Sequence, residues 1–347
     1  SLTLLASGAT AQTTLHVPAD FPTIQGAIEP PANGDEVVVA PGTYHEHLNF
    51  LGKAIKVLGV EPAANVAKVA VQRGIPTLVK FFGEETARHL VSEGTQADLI
   101  VGNNVLAHVP HLNDFVEGLK ILLKPGGTIT MEFPHLMQLM AKNEFDTIYH
   151  EHFSYLSFTT VEDVFAAHGL ALYDVEELPT HGGSLRIYAR HSEDAAKVVS
   201  GRAKELDGRE EAAGFTRIET YLSFSERAKE TKRKLLDFLI RTKREGKCIA
   251  AYGAAAKGVT LLNYCGIRTD FIDYAVDLSP YKQGYFMPGV HIPIFHPDKI
   301  KETRPDYVLI LPWNLKDEIM RQMACIGDWG GKFVVPIPEV TVYAPPL

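Results

Sequence analysis

The stretch from residue 98 to residue 133, DLIVGNNVLAHVPHLNDFVEGLKILLKPGGTITMEF, decides the fold class of this chain. Residues 98–101 form a short apolar run of β-forming side chains. Residues 112–123 have the apolar spacing of an amphipathic helix, which stops at Pro125-Gly126-Gly127. Residues 128–133 are again typical of a strand. A strand, a helix and a strand in this order predict a parallel pair joined by a crossover helix.

The same alternation extends in both directions from this stretch. It predicts helices at 62–73, 84–93, 112–123, 161–168, 255–265 and 315–325, and strands at 54–60, 77–81, 98–101, 128–133, 171–177, 184–190, 248–252, 271–276, 306–311 and 332–335. Residues 193–246 are charged and predicted to be helical. We therefore expect an α/β fold with one domain at 54–192, a helical connector at 193–246 and a second α/β domain at 247–347, each built on a parallel sheet with helices on both faces.

The N-terminal part of the chain has a different character. Residues 1–12, SLTLLASGATAQ, are typical of the tail of a signal peptide, although an ordinary chain terminus is the alternative. Residues 13–53 contain short β-branched runs separated by Pro, Gly and Asn, which predict a β-rich segment. Residues 13–50 resemble the opening coil of the right-handed β-helix in pectin-lyase-like proteins. We expect a junction near residues 51–59, where the α/β pattern takes over.

Composition excludes several classes of partner. The 347 residues carry a net charge of -8, which argues against binding to a nucleic-acid backbone. No run of about 18 apolar residues is present, so the sequence predicts no membrane partner. The 3 cysteines form no CxxC pair, which argues against a disulfide framework and against a structural zinc site.

Residues 147–157, TIYHEHFSYLS, hold two histidines, a glutamate and two tyrosines within seven positions. So many groups able to transfer protons favour an acid/base site. Two alternatives remain open. His150 and His152 with Glu151 are possible metal ligands, although zinc usually takes a further distant ligand and neighbours on an extended segment face opposite sides. A hydrogen-bonded structural network is the other alternative.

Polar residues follow two of the predicted strands. Glu61 stands between a strand and a helix that opens at Pro62, a place where a carboxylate binds a ribose diol or merely caps the helix. Asn103 and Asn104 end the strand at 98–101, where open α/β sheets bind ligands, or where they only satisfy a turn. His108 follows them and is either a site residue or a surface residue.

Two glycine-containing turns are further candidates. Residues 252–258, YGAAAKG, join a strand to a helix through small residues, which lets backbone N–H groups and Lys257 approach a phosphate. The spacing is neither that of a P-loop nor GxGxxG, and a plain tight turn is the alternative. Residues 180–184, THGGS, allow either a close backbone approach or a hairpin turn.

Taken together, these motifs resemble the sugar C-methyltransferase family, which acts on nucleotide-linked keto-deoxysugars. The matching segments are VEPAAN at 60–65, NNVLAHV at 103–109, LKPGG at 123–127, MEFPHL at 131–136, TIYHEHFSYLS at 147–157, HGGSLR at 181–186 and YGAAAKG at 252–258. The resemblance implies a Rossmann-like domain that binds S-adenosylmethionine and a C-terminal Rossmann-like α/β domain. It also implies methylation of a carbon next to a ketone on a dTDP-linked sugar, in the cytoplasm, where the cofactor is made.

The resemblance further implies a role for each candidate residue. The general base is His152, and Glu151, Tyr149 and His108 surround the substrate, with either Tyr149 or His108 as the hydrogen-bond donor to the enolate oxygen. Cofactor contacts are assigned to Glu61, Pro62, Asn103 and Asn104. Substrate contacts are assigned to His181, Tyr252, Gly253 and Lys257, with the turn from Gly253 to Lys257 near the nucleotide diphosphate.

The chain departs from the family pattern in two places. The cysteine-rich zinc domain with which the family begins is missing, and so is a glycine-rich loop of the type E-x-G-x-N-D-G before Glu61. We therefore expect an incomplete cofactor domain and weak binding of S-adenosylmethionine. Two other functions stay open: a non-catalytic protein that binds nucleotide sugars, and an exported carbohydrate-binding protein derived from a β-helix.

Overall fold

The computed structural model describes residues 56–346, together with the backbone of three short strands nearer the N-terminus. These strands are Thr3–Leu5 (β1), Thr14–Val17 (β2) and Glu36–Val39 (β3). Strand β3 pairs in parallel with β2 and antiparallel with β1. Apart from these strands, the signal-peptide prediction for residues 1–12 and the β-helix prediction for residues 13–53 lie outside the described residues.

The chain divides into two compact units, Ser1–Thr86 and Ala87–Leu347. In the first unit, Gly59–Val60 (β4) and Thr77–Leu78 (β5) form a parallel pair, joined through Ala64–Gln72 (α1). The helix Glu84–Ser92 (α2) begins at the end of this unit.

The first predicted strand and helix are shorter than expected. In the described part of 54–60, only Gly59 and Val60 pair with β5. The helix begins at Ala64, not at Pro62, because the Glu61 carboxylate accepts the Ala63 N–H at 2.8 Å and holds an open turn there.

The second unit opens with a mixed sheet. Its elements in chain order are Ala97–Asn103 (β6), Leu112–Leu122 (α3), Leu123–Pro134 (β7), Leu136–Ala141 (α4), Phe158–Ala167 (α5), Leu170–Leu178 (β8) and Ser184–His191 (β9). The strand order is β6-β7-β9-β8, and only the β6–β7 pair is parallel. The prediction of a parallel sheet is wrong here, because the five residues between β8 and β9 are too few for a crossover and impose an antiparallel pair.

Two helices follow this sheet, Gly201–Ala212 (α6) and Ile218–Arg244 (α7). They lie within the segment predicted to connect the domains, with a break around Gly214, whose φ is +83°. The buried side chains of Leu235, Phe238 and Leu239 place one face of α7 in the core of the following sheet.

The final part of the chain is a second α/β sheet. Its elements are Ile249–Tyr252 (β10), Ala256–Cys265 (α8), Tyr274–Val276 (β11), Ile294–Phe295 (β12), Asp298–Thr303 (α9), Tyr307–Ile310 (β13), Lys316–Gln322 (α10), Lys332–Val335 (β14) and Thr341–Tyr343 (β15). The strand order is β12-β11-β10-β13-β14-β15, parallel except for β15. The chain winds outward in both directions from β10, so the gap between the ends of β10 and β13 is the place where such sheets bind ligands.

Candidate active site

The segment predicted to carry acid/base chemistry is a loop fixed at both ends. It follows the 3-10 turn Phe145–Thr147, and Ser157 caps α5 by accepting the Thr160 N–H. In the middle, the N–H groups of Phe153 and Ser154 donate to the Ala107 carbonyl at 2.8 and 3.2 Å. Because Ala107 belongs to the turn after β6, these bonds bring the loop to the carboxyl end of that strand.

Three aromatic or imidazole rings surround His152. The ring of Tyr149 stacks on it with centroids 4.6 Å apart. His108 and Tyr155 approach it edge-on at 4.7 and 5.7 Å. The side chains of His150 and Glu151 are exposed, and Glu151 contributes a backbone carbonyl. Three of the four residues predicted to be catalytic, His152, Tyr149 and His108, are thus brought together by their side chains.

The hydrogen bonds define the tautomers of both histidines. His152 Nδ1 lies 3.0 Å from the Thr147 carbonyl oxygen. A carbonyl only accepts, so Nδ1 carries the proton and the neutral ring keeps its lone pair on Nε2. His108 Nδ1 is bound in the same way to the Glu151 carbonyl, at 2.9 Å.

Burial shifts the pKa values of His152 and Tyr149 in opposite directions. Burial lowers the pKa of His152, and the neighbouring His108 and, to a smaller extent, His181 lower it further, against opposing effects of Thr147 and Glu151. Burial also raises the pKa of Tyr149, with the negative charges of Glu151 and Asp146 acting in the same sense. A neutral imidazole therefore stands beside a phenol that holds its proton.

A second pair of predicted residues meets at the same edge of the sheet. Asn104 follows β6 with a φ of +54°, and its amide nitrogen lies 3.4 Å from His181 Nε2. His181 has a φ of +56° in the turn between β8 and β9. Asn103 ends β6 with an exposed side chain. The cofactor roles of the two asparagines and the substrate role of His181 stay predictions.

Two buried carboxyl groups that we did not predict lie just before the loop. Glu144 is 3% exposed and Asp146 is 0% exposed. Burial raises the pKa of each to about 7, although Lys142 and Lys257 oppose the shift of Glu144, and the Trp313 hydrogen bond and Lys257 oppose that of Asp146. The sequence signal was present: residues 143–146 read NEFD, acidic side chains interleaved with a large apolar one.

Glu144 explains one of the glycines in THGGS. A Cβ on Gly182, which has a φ of +99°, would collide with the Glu144 carboxylate. The Lys142 ammonium donates to the Gly182 carbonyl. The Gly-Gly pair thus allows a close approach between this turn and the buried carboxyl group.

The turn after β10 lies at the gap between β10 and β13. Gly253 has a φ of +91°, and a Cβ there would lie 2.5 Å from Pro312. Lys257 Nζ donates to Asn314 Oδ1 at 2.7 Å and stands 4.4 Å above the Trp313 ring. Burial lowers the pKa of Lys257, against the negative charges of Asp146 and Glu144, so the cation is only partly compensated.

Not every group of this turn is open to a ligand. The Ala254 N–H donates to Asp277 Oδ2 at 2.7 Å, and the buried Tyr252 donates its hydroxyl to Gln322 Oε1 at 3.3 Å. The predicted phosphate contact therefore depends on Gly253 and Lys257 more than on Tyr252, and the roles of all three stay predictions.

Glu61 and Pro62 belong to the first unit. One oxygen of the Glu61 carboxylate caps the turn before α1, and the Glu61 N–H donates to the Leu78 carbonyl at 3.0 Å. A carboxylate at the end of β4 can accept the two hydroxyl hydrogen bonds of a ribose diol. The ribose role of Glu61 and the contact of Pro62 stay predictions.

No group of three or more His, Cys, Asp or Glu side chains between residues 56 and 346 is arranged to hold a metal ion. In the same part of the chain, no helix combines the length and the apolar character that crossing a membrane requires.

Known proteins match both halves of the chain. Residues 39–175 match the model of a methyltransferase domain, and residues 179–338 match that of a C-methyltransferase C-terminal domain. These matches and the α/β fold define a class I methyltransferase that uses S-adenosylmethionine. The C-methyltransferase NovU of Streptomyces niveus is 35% identical over 311 residues, which cover 89% of this chain and 74% of NovU. The chain belongs to the C-methyltransferase family.

Similarity to solved structures is partial. The N-methyltransferase NodS of Bradyrhizobium japonicum WM9 is 14% identical, with a TM-score of 0.31, and the match covers 42% of this chain and 78% of NodS. The 1,6-didemethyltoxoflavin-N1-methyltransferase of Burkholderia thailandensis is 15% identical, with a TM-score of 0.30. The match covers 42% of this chain and 64% of that enzyme. The family assignment rests on NovU and the two family models, which confirm the predicted family, enzyme class and cofactor.

Proposed function

We propose that this C-methyltransferase acts on a carbon next to a ketone of a nucleotide-linked deoxysugar, with a dTDP-linked keto-deoxysugar as the substrate. The observation that carries the proposal is the pair formed by His152 and Tyr149: an imidazole with its lone pair on Nε2 beside a protonated phenol, with rings 4.6 Å apart. A C–H next to a carbonyl is weakly acidic, and its removal requires a base and a donor together.

His152 is the general base in this mechanism. Its Nε2 takes the proton from the carbon, the C–H electrons form a carbon–carbon double bond, and the carbonyl oxygen becomes an enolate. The Thr147 carbonyl that fixes Nδ1–H also stabilises the imidazolium that forms. The lowered pKa keeps the resting ring neutral, so that it is ready to accept a proton at neutral pH.

Tyr149 is the donor to the enolate oxygen. In neutral His108 the only N–H is directed at the Glu151 carbonyl, so Nε2 presents a lone pair that would repel an enolate. The Tyr149 hydroxyl keeps its proton because burial raises its pKa. This difference favours Tyr149 over His108 as the donor, whereas the sequence alone does not distinguish the two.

S-adenosylmethionine, when bound, supplies an electrophilic methyl group for the nucleophilic carbon of the enolate. Glu61 would hold its ribose, and Asn103 and Asn104 its methionine and adenine parts. Because the glycine-rich loop that would surround the amino-acid end is absent from the sequence, we propose that the affinity is weak. We place the reaction in the cytoplasm, where the methyl donor is made.

The diphosphate of the substrate would bind at the gap between β10 and β13. Lys257 offers a half-buried ammonium there, and Gly253 allows a close approach of the backbone. Its sugar would then extend toward His181 and His152. Asp146 and Glu144 affect the pKa of Lys257, which is why we place the gap and the loop in one site.

Two mass measurements test the proposal. The full chain is incubated in D2O with a dTDP-linked keto-deoxysugar, first with S-adenosylhomocysteine and then with S-adenosylmethionine. We expect exchange of the hydrogen next to the ketone in the first case and a gain of one methyl mass in the second. If neither exchange nor methylation is observed at high enzyme concentration, the proposal is overturned.

A non-catalytic role in binding nucleotide sugars is the second candidate, because the chain lacks the glycine-rich loop. It predicts saturable binding of the dTDP-sugar with neither exchange nor methylation. Exchange without methylation would instead indicate an intact deprotonation site with too little affinity for the methyl donor.

A further inference from the structure

The turn that precedes the catalytic loop is fixed in the C-terminal core. Phe145 is 6% exposed and packs among the buried residues of that core, with its ring 5.2 Å from the ring of Tyr264 on α8. The next residue, Asp146, is 0% exposed and accepts the indole N–H of Trp313 at 2.8 Å through Oδ2. Two successive side chains thus attach this turn to the second sheet.

The third residue of the turn orients the base. The Thr147 carbonyl accepts His152 Nδ1–H, and Thr147 is held in turn by donating its N–H and its hydroxyl to the Glu144 carbonyl at 3.1 and 2.7 Å. A displacement of the Asp146 backbone would therefore displace the carbonyl that sets the tautomer and direction of His152.

Trp313 stands at the gap between β10 and β13, three residues after the end of β13. Lys257 lies over its ring at 4.4 Å and bonds to its neighbour Asn314. The indole thus contacts the proposed diphosphate site on one side and Asp146 on the other.

We propose that Asp146 and Trp313 are positioning residues for His152, which they orient through the Thr147 carbonyl. The inference rests on the proposed function in one respect, that His152 is the base.

Only the oxygen of Asp146 that accepts the indole N–H takes part in this contact. Oδ1 is buried without a hydrogen-bond partner among the described residues. A half-satisfied buried carboxyl group costs stability, and an asparagine would accept the same indole bond without a charge. The positioning role therefore requires the acceptor at residue 146 and not its charge.

Variants of the full chain separate the two roles. Asp146→Ala removes the acceptor and Trp313→Phe removes the donor, whereas Asp146→Asn keeps an acceptor. Trp329→Phe is the matched control, because the half-buried Trp329 donates to the Pro305 carbonyl at 3.0 Å in the same domain but does not contact the turn. The first measurement is the ¹⁵N NMR signal of the His152 ring, assigned by its loss in His152→Gln. The second is the rate of substrate C–H exchange in D2O.

We expect a single Nδ1–H tautomer of His152 in the parent chain, Asp146→Asn and Trp329→Phe, and a mixture of tautomers in Asp146→Ala and Trp313→Phe. In the last two variants, kcat for exchange should fall by ~10- to 100-fold, while KM for the sugar stays within about twofold. The double variant should lose no more than the worse single variant, because both changes break one contact.

Three results would overturn the inference: an unchanged His152 tautomer in both Asp146→Ala and Trp313→Phe, an equal loss in Trp329→Phe, or a loss confined to KM. If Asp146→Ala fails to fold by circular dichroism, Trp313→Phe against Trp329→Phe decides alone. A parent chain that exchanges no proton would refute the proposed function, whereas the NMR comparison would still test the positioning contact.

Discussion

The phenol ring of Tyr149 lies on the imidazole ring of His152, with centroids 4.6 Å apart and planes 28° from parallel. The two residues are three positions apart in a loop, and the turn that stacks them is closed by the His152 N–H, which donates to the Tyr149 carbonyl at 3.0 Å. The base and the proposed enolate donor therefore form one local unit. Substitutions in this unit are the most direct test of the mechanism.

Replacement of the base should abolish deprotonation. His152→Gln keeps a polar side chain of similar size but has no basic nitrogen, so we expect substrate C–H exchange to fall by ~10²- to 10⁴-fold. Mass spectrometry of the dTDP-sugar in D2O measures this rate. His168→Gln is the control, since His168 lies at the end of α5, bonded to Glu117 and Asn113. An equal loss in both variants would mean that His152 supports the fold only.

The pH dependence should follow the lowered pKa of His152. The base works in its neutral form, which predominates above its pKa, and burial holds that pKa below the ordinary value of 6.5. The rate of exchange should therefore decline as the pH falls, with a midpoint below pH 6.5. An NMR titration of the His152 ring should give the same midpoint as the acid limb of kcat/KM, which reports the free enzyme. A ring that titrates above pH 6.5 would contradict this.

The enolate donor can be tested with two neighbouring tyrosines. Tyr149→Phe removes the proposed donor, and kcat should fall by ~10²- to 10³-fold, the typical effect of losing one oxyanion donor. Tyr155→Phe is matched in chemistry and also contacts His152, but its hydroxyl donates to the Tyr149 carbonyl at 3.4 Å. Its loss should cost less than about tenfold. The reverse order would transfer the donor role to Tyr155.

A buried carboxylate on α6 should dominate local stability. Glu210 is 0% exposed and accepts from His135 Nε2 at 2.6 Å, from the N–H groups of Phe158 and Thr159, and from the Thr159 hydroxyl. Glu210→Ala leaves these donors buried and unpaired, so the free energy of unfolding should fall by about 3 kcal/mol or more. The exposed Glu211 is the control, and Glu211→Ala should change it by less than about 0.5 kcal/mol.

The same carboxylate gives stability a defined pH dependence. Burial alone would raise the pKa of Glu210, but the bonds from His135, Thr159 and Phe158 outweigh it and lower the pKa below 4.5. A lowered pKa contributes stability above the unfolded value, and this contribution is lost as the pH falls through the folded value. Urea unfolding should show a loss below about pH 4.5 that is absent in Glu210→Gln.

Weak cofactor binding is the last prediction. Isothermal titration with S-adenosylhomocysteine should give a Kd weaker than about 1 μM, because the glycine-rich loop is missing. Glu61→Gln should weaken it by a further ~10-fold, the value of one charged hydrogen bond. Glu85→Gln, an exposed acid in the next helix, should have no effect. Binding tighter than about 1 μM would show that other residues replace the loop.

The α/β class and most helices could be predicted, because local apolar spacing reflects which face is buried. The helices expected at 84–93 and 112–123 are observed at Glu84–Ser92 and Leu112–Leu122. The orientation of β9 was predicted wrongly, since the apolar pattern of a strand is the same in parallel and antiparallel pairs. The short connection between β8 and β9 held that information, but the general alternation outweighed it.

The site residues also divide into those that the local sequence indicates and those that only the fold brings together. His152 and Tyr149 could be paired from the sequence because they are three residues apart, and His108 because it follows the end of a strand. The bond between Asp146 and Trp313 joins residues 167 positions apart, and nothing local to either residue indicates the other. Glu144 and Asp146 were overlooked since isolated acids before a polar loop are usually exposed, whereas here they are buried.

The position of Phe145 bears on how this enzyme could be recombined with its relatives. A chimera made by exchanging everything after residue 192 would supply a new C-terminal core, yet one side chain of the old core would remain behind in the N-terminal parent. The two α/β halves therefore cannot be exchanged independently at residue 192. Residues 144–147 should therefore be taken from the same parent as the C-terminal half and placed as a short replacement in the N-terminal half.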